Sequence, residues 1–406
     1  MMRTRRKIAE LGRVVTGKTP PTTEHVFFNG DYPFITPTDL TYDSFRIGST
    51  ATTVTEEAKS RFRNQFIPPG AVAFTCIASV GKIGFTERES LTNQQINSLI
   101  PNQDHDGRFL YYLLRSETPN IQGRCTGVAT PIINKSDFEK IEVLVPDLPT
   151  QRRIANILSV YDDLMENNRR RMALLEESAR QLYREWFVRL RYPGHEAAPV
   201  AGGLPAGWRK VTLGEICSKI GSGSTPRGGS AAYLTEGVTL IRSMNVYDDR
   251  FEDEGLAFID DEQAAELDNV VVQSRDILLN ITGASVARCC MAPDRHLPAR
   301  VNQHVMILRA DPAKADPFLV HAAINSDERK RQLLSYARKG STREALTKET
   351  MRAFEIVLPA DALMRRFGEI AEANFLQRET LALQNQKLRA ARDHLLPRLL
   401  SGALPV

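Results

Sequence analysis

The sequence predicts an α+β fold: two tandem modules of mixed β structure with short helices, and two long antiparallel coiled-coil helices in a pseudo-two-fold internal repeat. Three observations carry this expectation. Residues 127–146 (GVATPIINKSDFEKIEVLVP) align without a gap to residues 340–359 (GSTREALTKETMRAFEIVLP), sharing Gly127/Gly340, Lys135/Lys348, Glu142/Glu355 and Pro146/Pro359. Short apolar runs broken by Gly and Pro precede both segments, as in sheets joined by tight turns. A long helical stretch with an apolar seam follows each one.

Earlier landmarks repeat in the same order. Leu11-Gly12 answers Leu213-Gly214, Thr19-Pro20 answers Thr225-Pro226, Ser79-Val80-Gly81-Lys82 answers Ser285-Val286-Ala287-Arg288, and Asn93-Gln94 answers Asn302-Gln303. The expected boundaries are a first module at 1–150, a helix at 151–190, a linker at 191–205, a second module at 206–362, a helix at 363–402 and a tail at 403–406. Strands are expected at 71–74, 141–145, 277–281, 305–308 and 354–358, where apolar and β-branched residues cluster.

The first helix follows Pro146-Asp147-Leu148-Pro149, with Thr150 as its expected N-cap. Ile154, Leu158, Tyr161, Met165, Asn168, Met172, Leu175, Ala179, Leu182 and Trp186 alternate in steps of four and three, a coiled-coil seam. At 1.5 Å per residue such a helix spans roughly 60 Å. Asn168 is the strongly polar seam residue, a type that fixes register. In the second helix, Ile370, Asn374, Leu381, Leu388, Leu395 and Leu399 mark the expected seam, interrupted by Gln377 and Gln384. Pro397 is expected to kink or end this helix, with Ser401-Gly402 as its stop. The composition of 191–205 (RYPGHEAAPVAGGLP) is that of a linker.

Composition excludes several classes. With 42% apolar and 25% charged residues, global disorder is excluded. The net charge is only +4, yet residues 329–343 carry six basic residues and no acidic one, a pattern that suits polyanions, although charge runs are ordinarily solvated faces. The five cysteines lack CxxC spacing, which argues against zinc and for reduced thiols in a cytoplasm. No apolar stretch follows the basic start, so neither a signal peptide nor a membrane span is expected.

Catalytic motifs fail individually. Residues 12–19 (GRVVTGKT) match the phosphate-binding loop formally, but Pro20-Pro21 follow at once, and Ser224 stands where copy one has Lys18. No [DN]-P-P-[YF] methyltransferase loop, Gly-x-Ser-x-Gly or His-Glu-x-x-His is present. Asp43 with Glu57 and Lys59 is a weak nuclease signature, since an acidic-x-Lys triplet arises easily by chance. The seven histidines show no ligand spacing. A non-catalytic recognition protein, without catalytic or metal-ligating residues, is the expectation.

Four segments together resemble the specificity subunits of type I restriction-modification systems. They are 151–158 (QRRIANIL) with 161–168 (YDDLMENN), 179–187 (ARQLYREWF), 204–208 (LPAGW) with 213–216 (LGEI), and 393–402 (DHLLPRLLSG). The resemblance covers essentially the whole chain. It departs where copy one lacks the Gly-Trp start, where Met364 replaces a Gln, and where Leu399-Leu400 replace the Trp186-Phe187 pair. It implies two target recognition domains, each reading half of a split DNA sequence. The paired helices would set the spacing and dock the modification subunits, two per specificity subunit. Adenine methylation and ATP-driven cleavage would belong to partner modification and restriction/translocase chains. This chain would bind no cofactor itself, the complex using S-adenosylmethionine, ATP and Mg through those partners. Two readers on one side of B-DNA are expected roughly 34 Å apart.

Candidate DNA contacts are the duplicated polar loops. Lys18 and Thr19 with Ser224, Thr225 and Arg227 form turns suited to phosphates. Thr36, Thr38 and Asp39 match Arg242, Met244 and Asn245 in position but not in type, as two readers of different bases would. Ser79 and Lys82 answer Ser285 and Arg288. Asn93, Gln94, Asn302 and Gln303 either read adenine or cap internal turns. Arg124 and Thr130, with Arg338, Lys339, Ser341, Thr342 and Arg343, belong to the last loops, where Arg343 can also read guanine. Trp186 and Phe187 read first as core and second as docking contacts. The competing function is a coiled-coil scaffold with two protein-binding modules, and an enzymatic rival is a nucleotide hydrolase using Lys18.

Overall fold

The apolar runs of each copy fold into matching sheets, the first copy adding one strand to the larger of its two. The structure, a computed structural model, describes residues 3–43, 45–127, 130–339 and 345–406. The chain divides into one unit of Met1–Asn168 with Gln384–Val406 and a second of Arg169–Leu383, so each unit takes part of both long helices.

In the first unit, Gly12–Thr16, Ile96–Pro101, Val72–Thr75, Ile83–Thr86 and Arg46–Ile47 form a five-stranded sheet in that order. A four-stranded sheet runs Thr52–Val54, Phe28–Ile35, Ser90–Thr92, Phe66–Ile67. Thr4–Lys7 pairs antiparallel with Glu142–Val145, Lys7 opposite Glu142. Helix Gly107–Gln122 is capped by Asp106, whose side chain accepts from the Phe109 N–H. It buries Phe109, Tyr112 and Leu113 in one core with Val72, Phe74 and the seam residues Ile154, Leu158 and Leu399. At roughly 25 cal/mol per Å² of apolar surface, this shared core holds the helix pair to the sheet.

The second unit repeats the plan. One four-stranded sheet runs Cys217–Ser222, Val305–Ala310, Ile277–Asn280, Cys289–Met291; the other runs Ala257–Ile259, Val238–Ile241, Ala299–Val301, Val271–Val272. Arg209–Thr212 pairs with Glu355–Leu358, Thr212 opposite Glu355. The two copies also open identically. The Lys7 N–H donates to Glu10 at 2.6 Å, and the Thr212 N–H donates to Glu215 at 2.6 Å. This pairs Leu11-Gly12 with Ile216-Cys217, correcting the pairing with Leu213-Gly214 by three residues. The short Leu-Gly match was coincidental, whereas capping and strand register are set by hydrogen bonds.

The first long helix, Leu148–Tyr183, continues as one π turn, Arg184–Val188. Its cap is Asp147, not Thr150: the Asp147 carboxylate accepts from the Thr150 N–H at 3.0 Å, and Thr150 is buried inside the first turn. Pro149 is tolerated there because first-turn N–H groups have no intrahelical partner.

The second helix, Asp361–Ser401, runs through Pro397 rather than ending there. Gly402 ends it at φ +83°, as expected. Arg3 donates to the carbonyls of Leu399 and Ser401 at 2.8 and 2.9 Å, satisfying last-turn acceptors. Of the expected seam, Asn374, Leu381, Leu388, Leu395 and Leu399 face inward, while the alternate row is shifted by one residue. Ile370 is 37% exposed, and Gln377 and Gln384 are exposed, Gln384 at the seam's edge accepting from Asn168 at 3.5 Å. The inward series in the second unit is Met364, Phe367, Ala371, Asn374, Arg378 and Leu381; in the first unit it is Asn385, Leu388, Arg392, Leu395 and Leu399. Three polar seam residues were hidden by their polarity.

Within each unit the helix segments run antiparallel. In the first, Asn168 donates to Asn385 at 2.9 Å, and the fully buried Arg392 pairs with Asp162. In the second, Asn374 donates to the Leu175 carbonyl at 3.3 Å, and the Trp186 and Phe367 rings lie 6.4 Å apart. Trp186 is buried in the core and Phe187 packs against it, meeting Phe367 edge-on and Trp208 at a tilt. Tyr161, Met172 and Leu182 are half-buried. The 191–205 segment is ordered: Val200–Ala201 pairs with Leu204–Pro205 across Gly202-Gly203, both at positive φ, and buried Tyr192 packs on Trp208.

Candidate nucleic-acid interface

The polar loops of each unit are tied together by backbone bonds that repeat between copies. In the first unit, Gly17 lies so close to Thr92 that an added Cβ would sit 2.2 Å from its carbonyl oxygen. The Lys18 N–H donates to that same carbonyl at 2.8 Å. No helix follows, since Pro20-Pro21 lead into a turn, and the Gly17 and Lys18 N–H groups are bonded to carbonyls rather than open to a phosphate. The formal phosphate-loop match therefore builds no such loop. Lys18 is exposed, its ammonium 5.7 Å from the Phe62 ring. Thr19 donates to Gln94 and accepts from Asn93 at 3.3 Å.

Asn93 is the hub of this edge. Its N–H donates to the Ile35 carbonyl at 2.9 Å, and its side-chain oxygen accepts from the Gln95 N–H at 2.7 Å. Asn302 repeats both bonds: its N–H donates to Ile241 at 3.0 Å, and its side-chain oxygen accepts from the His304 N–H at 3.0 Å. These oxygens cap turns. Gly223 presses on the Val301 carbonyl as Gly17 presses on Thr92, an added Cβ falling 1.6 Å from the oxygen.

The next loop shows the same economy of design. Asp39 accepts from the Thr36 N–H at 2.8 Å, and Asn245 accepts from the Arg242 N–H at 3.0 Å. Asn245 is fully buried, its amide donating to the carbonyls of Glu252 and Glu254. It is a turn-former closed off from any ligand, which corrects its expected place among contact residues. The difference in type between Asp39 and Asn245 thus serves one shared turn. The outward positions do differ: Thr38 is exposed in one copy and Met244 in the other.

Lysine and arginine hold these loops from behind. Lys82 donates to the Pro37 carbonyl at 3.1 Å. Arg288, at the matching position, stacks on Tyr247 at 4.6 Å while Arg250 covers the ring at 4.9 Å. Arg242 stacks on Tyr233 at 5.0 Å and donates to the Gly255 carbonyl. Stacking on an aromatic face fixes a planar guanidinium and leaves its edge for acceptors. Ser79 and Ser285 are half-buried at the turns before Lys82 and Arg288. The Ala78 N–H donates to Pro131 at 2.9 Å, drawing in exposed Thr130.

Other candidates fall elsewhere. Arg124 bonds to Asn120 at 3.2 Å and lines a groove of about 470 Å³ with Arg5, Glu142 and Pro397. Ser224 and Thr225 are exposed, and Arg227 pairs with Glu266 at 3.2 Å. Gln303 is half-buried, its amide 3.0 Å from the His304 ring. Arg338 is exposed on the helix Asp327–Lys339. The Lys339 side chain, Ser341, Thr342 and Arg343 lie outside the described residues. Asp43 and Lys59 do not meet: Asp43 faces Arg115, Arg389 and Arg392, whereas Lys59 pairs with Glu89 at 2.7 Å.

Sequence reasoning missed Tyr247, Arg250 and the partners of Asp43. A signal existed, because Asp43-x-Phe45 and Asp249-x-Phe251 repeat with the same displacement as Thr36 and Arg242. Among the described residues, no group of His, Cys, Asp or Glu is arranged to hold a metal, and no helix is long and apolar enough to cross a membrane. All five cysteines are free thiols.

This fold defines a tandemly duplicated α+β protein that presents two sets of loops on one framework with different outward side chains. Comparison with known proteins names the class. Residues 4–177 match the family model of the type I restriction modification DNA specificity domain. The chain is 26% identical to the type I restriction enzyme MjaIX specificity subunit of Methanocaldococcus jannaschii, over 99% of this chain and 93% of that one. It is 32% identical to the HindI specificity subunit of Haemophilus influenzae over 40% of this chain and 37% of that protein. The crystal structure of the type I restriction-modification S subunit from M. genitalium shares the fold, with a TM-score of 0.62 at 17% identity, over 98% of this chain and 96% of that one. Over nearly its whole length the chain is thus similar to a type I restriction enzyme specificity subunit, and its first part matches the DNA specificity domain model.

Proposed function

We propose that this chain is the DNA sequence-recognition subunit of a type I restriction-modification complex, each unit reading one half of a bipartite target. One observation carries the reading. The two copies share the backbone bonds that hold Asn93 and Asn302, Asp39 and Asn245, yet present different outward residues, Thr38 against Met244, and brace the loops with Lys82 in one copy and Arg288 in the other. A common scaffold with different outward chemistry suits two readers of different bases.

In this reading the long helices set the spacer and dock two modification subunits. Ile157, Val160 and Leu164 in the first unit, and Leu376 and Leu383 in the second, are exposed apolar residues on those helices, which supports docking. The chain itself is non-catalytic. The complex uses S-adenosylmethionine, ATP and Mg through modification and restriction/translocase partners.

The test is genome-wide adenine methylation with and without this gene. Loss of one split motif is the expected result. Unchanged methylation in a strain with an active partner methyltransferase refutes the reading and leaves the coiled-coil scaffold. Salt gives a second check: with 6–10 phosphate contacts, DNA affinity should fall about 10³- to 10⁵-fold between about 50 and 200 mM salt, whereas apolar protein docking should not.

A further inference from the structure

Each copy closes its recognition loop on an aspartate that a long helix holds. In the first unit the loop begins at Thr36 and ends at Asp43. One oxygen of Asp43 accepts from Arg115 and from the fully buried Arg392; the other lies 2.8 Å from Arg389 Nε. Arg389 and Arg392 belong to the helix Asp361–Ser401, and Arg115 to the helix Gly107–Gln122.

In the second unit the loop begins at Arg242 and reaches Asp249. Asp249 Oδ2 accepts from Arg180 at 2.9 Å, and Oδ1 accepts from Asn325 at 2.9 Å. Its main-chain carbonyl accepts from Arg378. Arg180 lies on the helix Leu148–Tyr183, Arg378 on the second long helix. Asn325 ends the helix Pro317–Asn325, capped by Asp316 as Asp106 caps the helix bearing Arg115. Different residue types at matched positions reach the same contact: an aspartate joined to a long-helix arginine and to a polar side chain of the module's own helix. Its appearance in both copies makes a chance ion pair a poor account.

We infer that Asp43 and Asp249 are positioning residues for sequence discrimination, each fixing its unit's loop to the long helices so that one half-site is read by a loop of defined pose. This rests on the reading proposed above. The reasoning is geometric. Thr36, Thr38 and Asp39, or Arg242 and Met244, sit on a loop whose near end is a strand and whose far end is this aspartate. Releasing the far end frees the loop without touching its outward side chains. Bidentate base contacts need placement within about 0.5 Å, so a freed loop loses discrimination before it loses phosphate binding.

The experiment uses the full chain co-expressed with its modification subunit and reads the methylated motif by sequencing. The variants are Asp43→Asn and Asp249→Asn, with Arg389→Gln and Arg180→Gln as milder changes at exposed arginines. Asn suits Asp249, which sits at φ +58°, where Asn and Asp are tolerated. Asp43→Asn and Arg389→Gln should relax one half of the motif, raising methylation at sites mismatched there by about tenfold. Asp249→Asn and Arg180→Gln should relax the other half. If Asp43→Asn abolishes all methylation through misfolding, Arg389→Gln decides. An unchanged motif, a lower overall level with the motif intact, or relaxation of both halves together overturns the inference. If the unaltered chain directs no split motif, the functional reading has failed instead.

Discussion

Arg392 carries a full charge at zero exposure, and replacing it with Met tests what its ion cluster does. Arg392 donates to Asp162 and to Asp43 and lies 2.9 Å from Asp393. Met keeps most of the side-chain volume while removing the charge. Asp43 retains Arg115 and Arg389, but Asp162, 3% exposed, keeps only the Tyr112 hydroxyl among these partners. Breaking a buried pair from one side costs about 3–5 kcal/mol, because the remaining charge is desolvated without compensation. For a unit of this size that lowers the melting temperature by roughly 6–20 °C. Burial already holds the Asp162 carboxyl above its ordinary range, against the pull of Arg392. A carboxyl raised in the folded state favours folding when protonated, so that contribution is complete at low pH and lost as pH rises through the folded value. The Arg392→Met deficit should therefore be largest at neutral pH and shrink on acidification. Arg392→Met/Asp162→Asn removes both charges and should recover most of the loss. Thermal melting of both variants from pH 5 to 8 is the assay. A single variant melting with the parent, or a double variant no better than the single, refutes the reasoning.

Other outcomes follow from the same geometry. Asn168→Leu leaves the Asn385 side-chain oxygen without its donor, although the Asn385 amide still reaches the Met165 carbonyl, and should cost about 1–3 kcal/mol in urea unfolding, whereas Asn168→Leu/Asn385→Leu should be near neutral in stability and poorer in helix register. Gly223→Ala would place a Cβ 1.6 Å from the Val301 carbonyl oxygen, so the second unit should lose about 1–3 kcal/mol or more, seen as a lower melting temperature. His321 is held below its ordinary pKa by burial, against the pull of Asp249. Its contribution is complete above about pH 6.5 and lost as pH falls through the folded value, so His321→Gln should flatten the acid limb of the stability profile.

Much of this protein was legible in its sequence because the signals are local. Strands at 71–74, 277–281 and 354–358 were marked by apolar, β-branched runs, and the observed strands Val72–Thr75, Ile277–Asn280 and Glu355–Leu358 lie within a residue of them. The repeat was legible because hydrogen-bonded turns need particular residue types, as in Asn93-Gln94 and Asn302-Gln303. The seam of the first helix was legible because most of its members are apolar. The seam of the second was legible in one row, Asn374, Leu381, Leu388, Leu395 and Leu399, but not in the other, where Arg378, Asn385 and Arg392 read as surface residues on polarity alone.

Only the tertiary structure decided where those polar groups go. Arg392 is buried because Asp162 and Asp43 meet it, and neither is near it in sequence. Asn245 looked like a contact residue until Glu252 and Glu254 turned their carbonyls onto its amide. A sequence sets periodicity and turn chemistry through neighbours a few residues apart. Whether a charged or amide side chain faces water or the interior depends on a partner brought up by the fold, because an unpartnered buried polar group is costly and a partnered one is not.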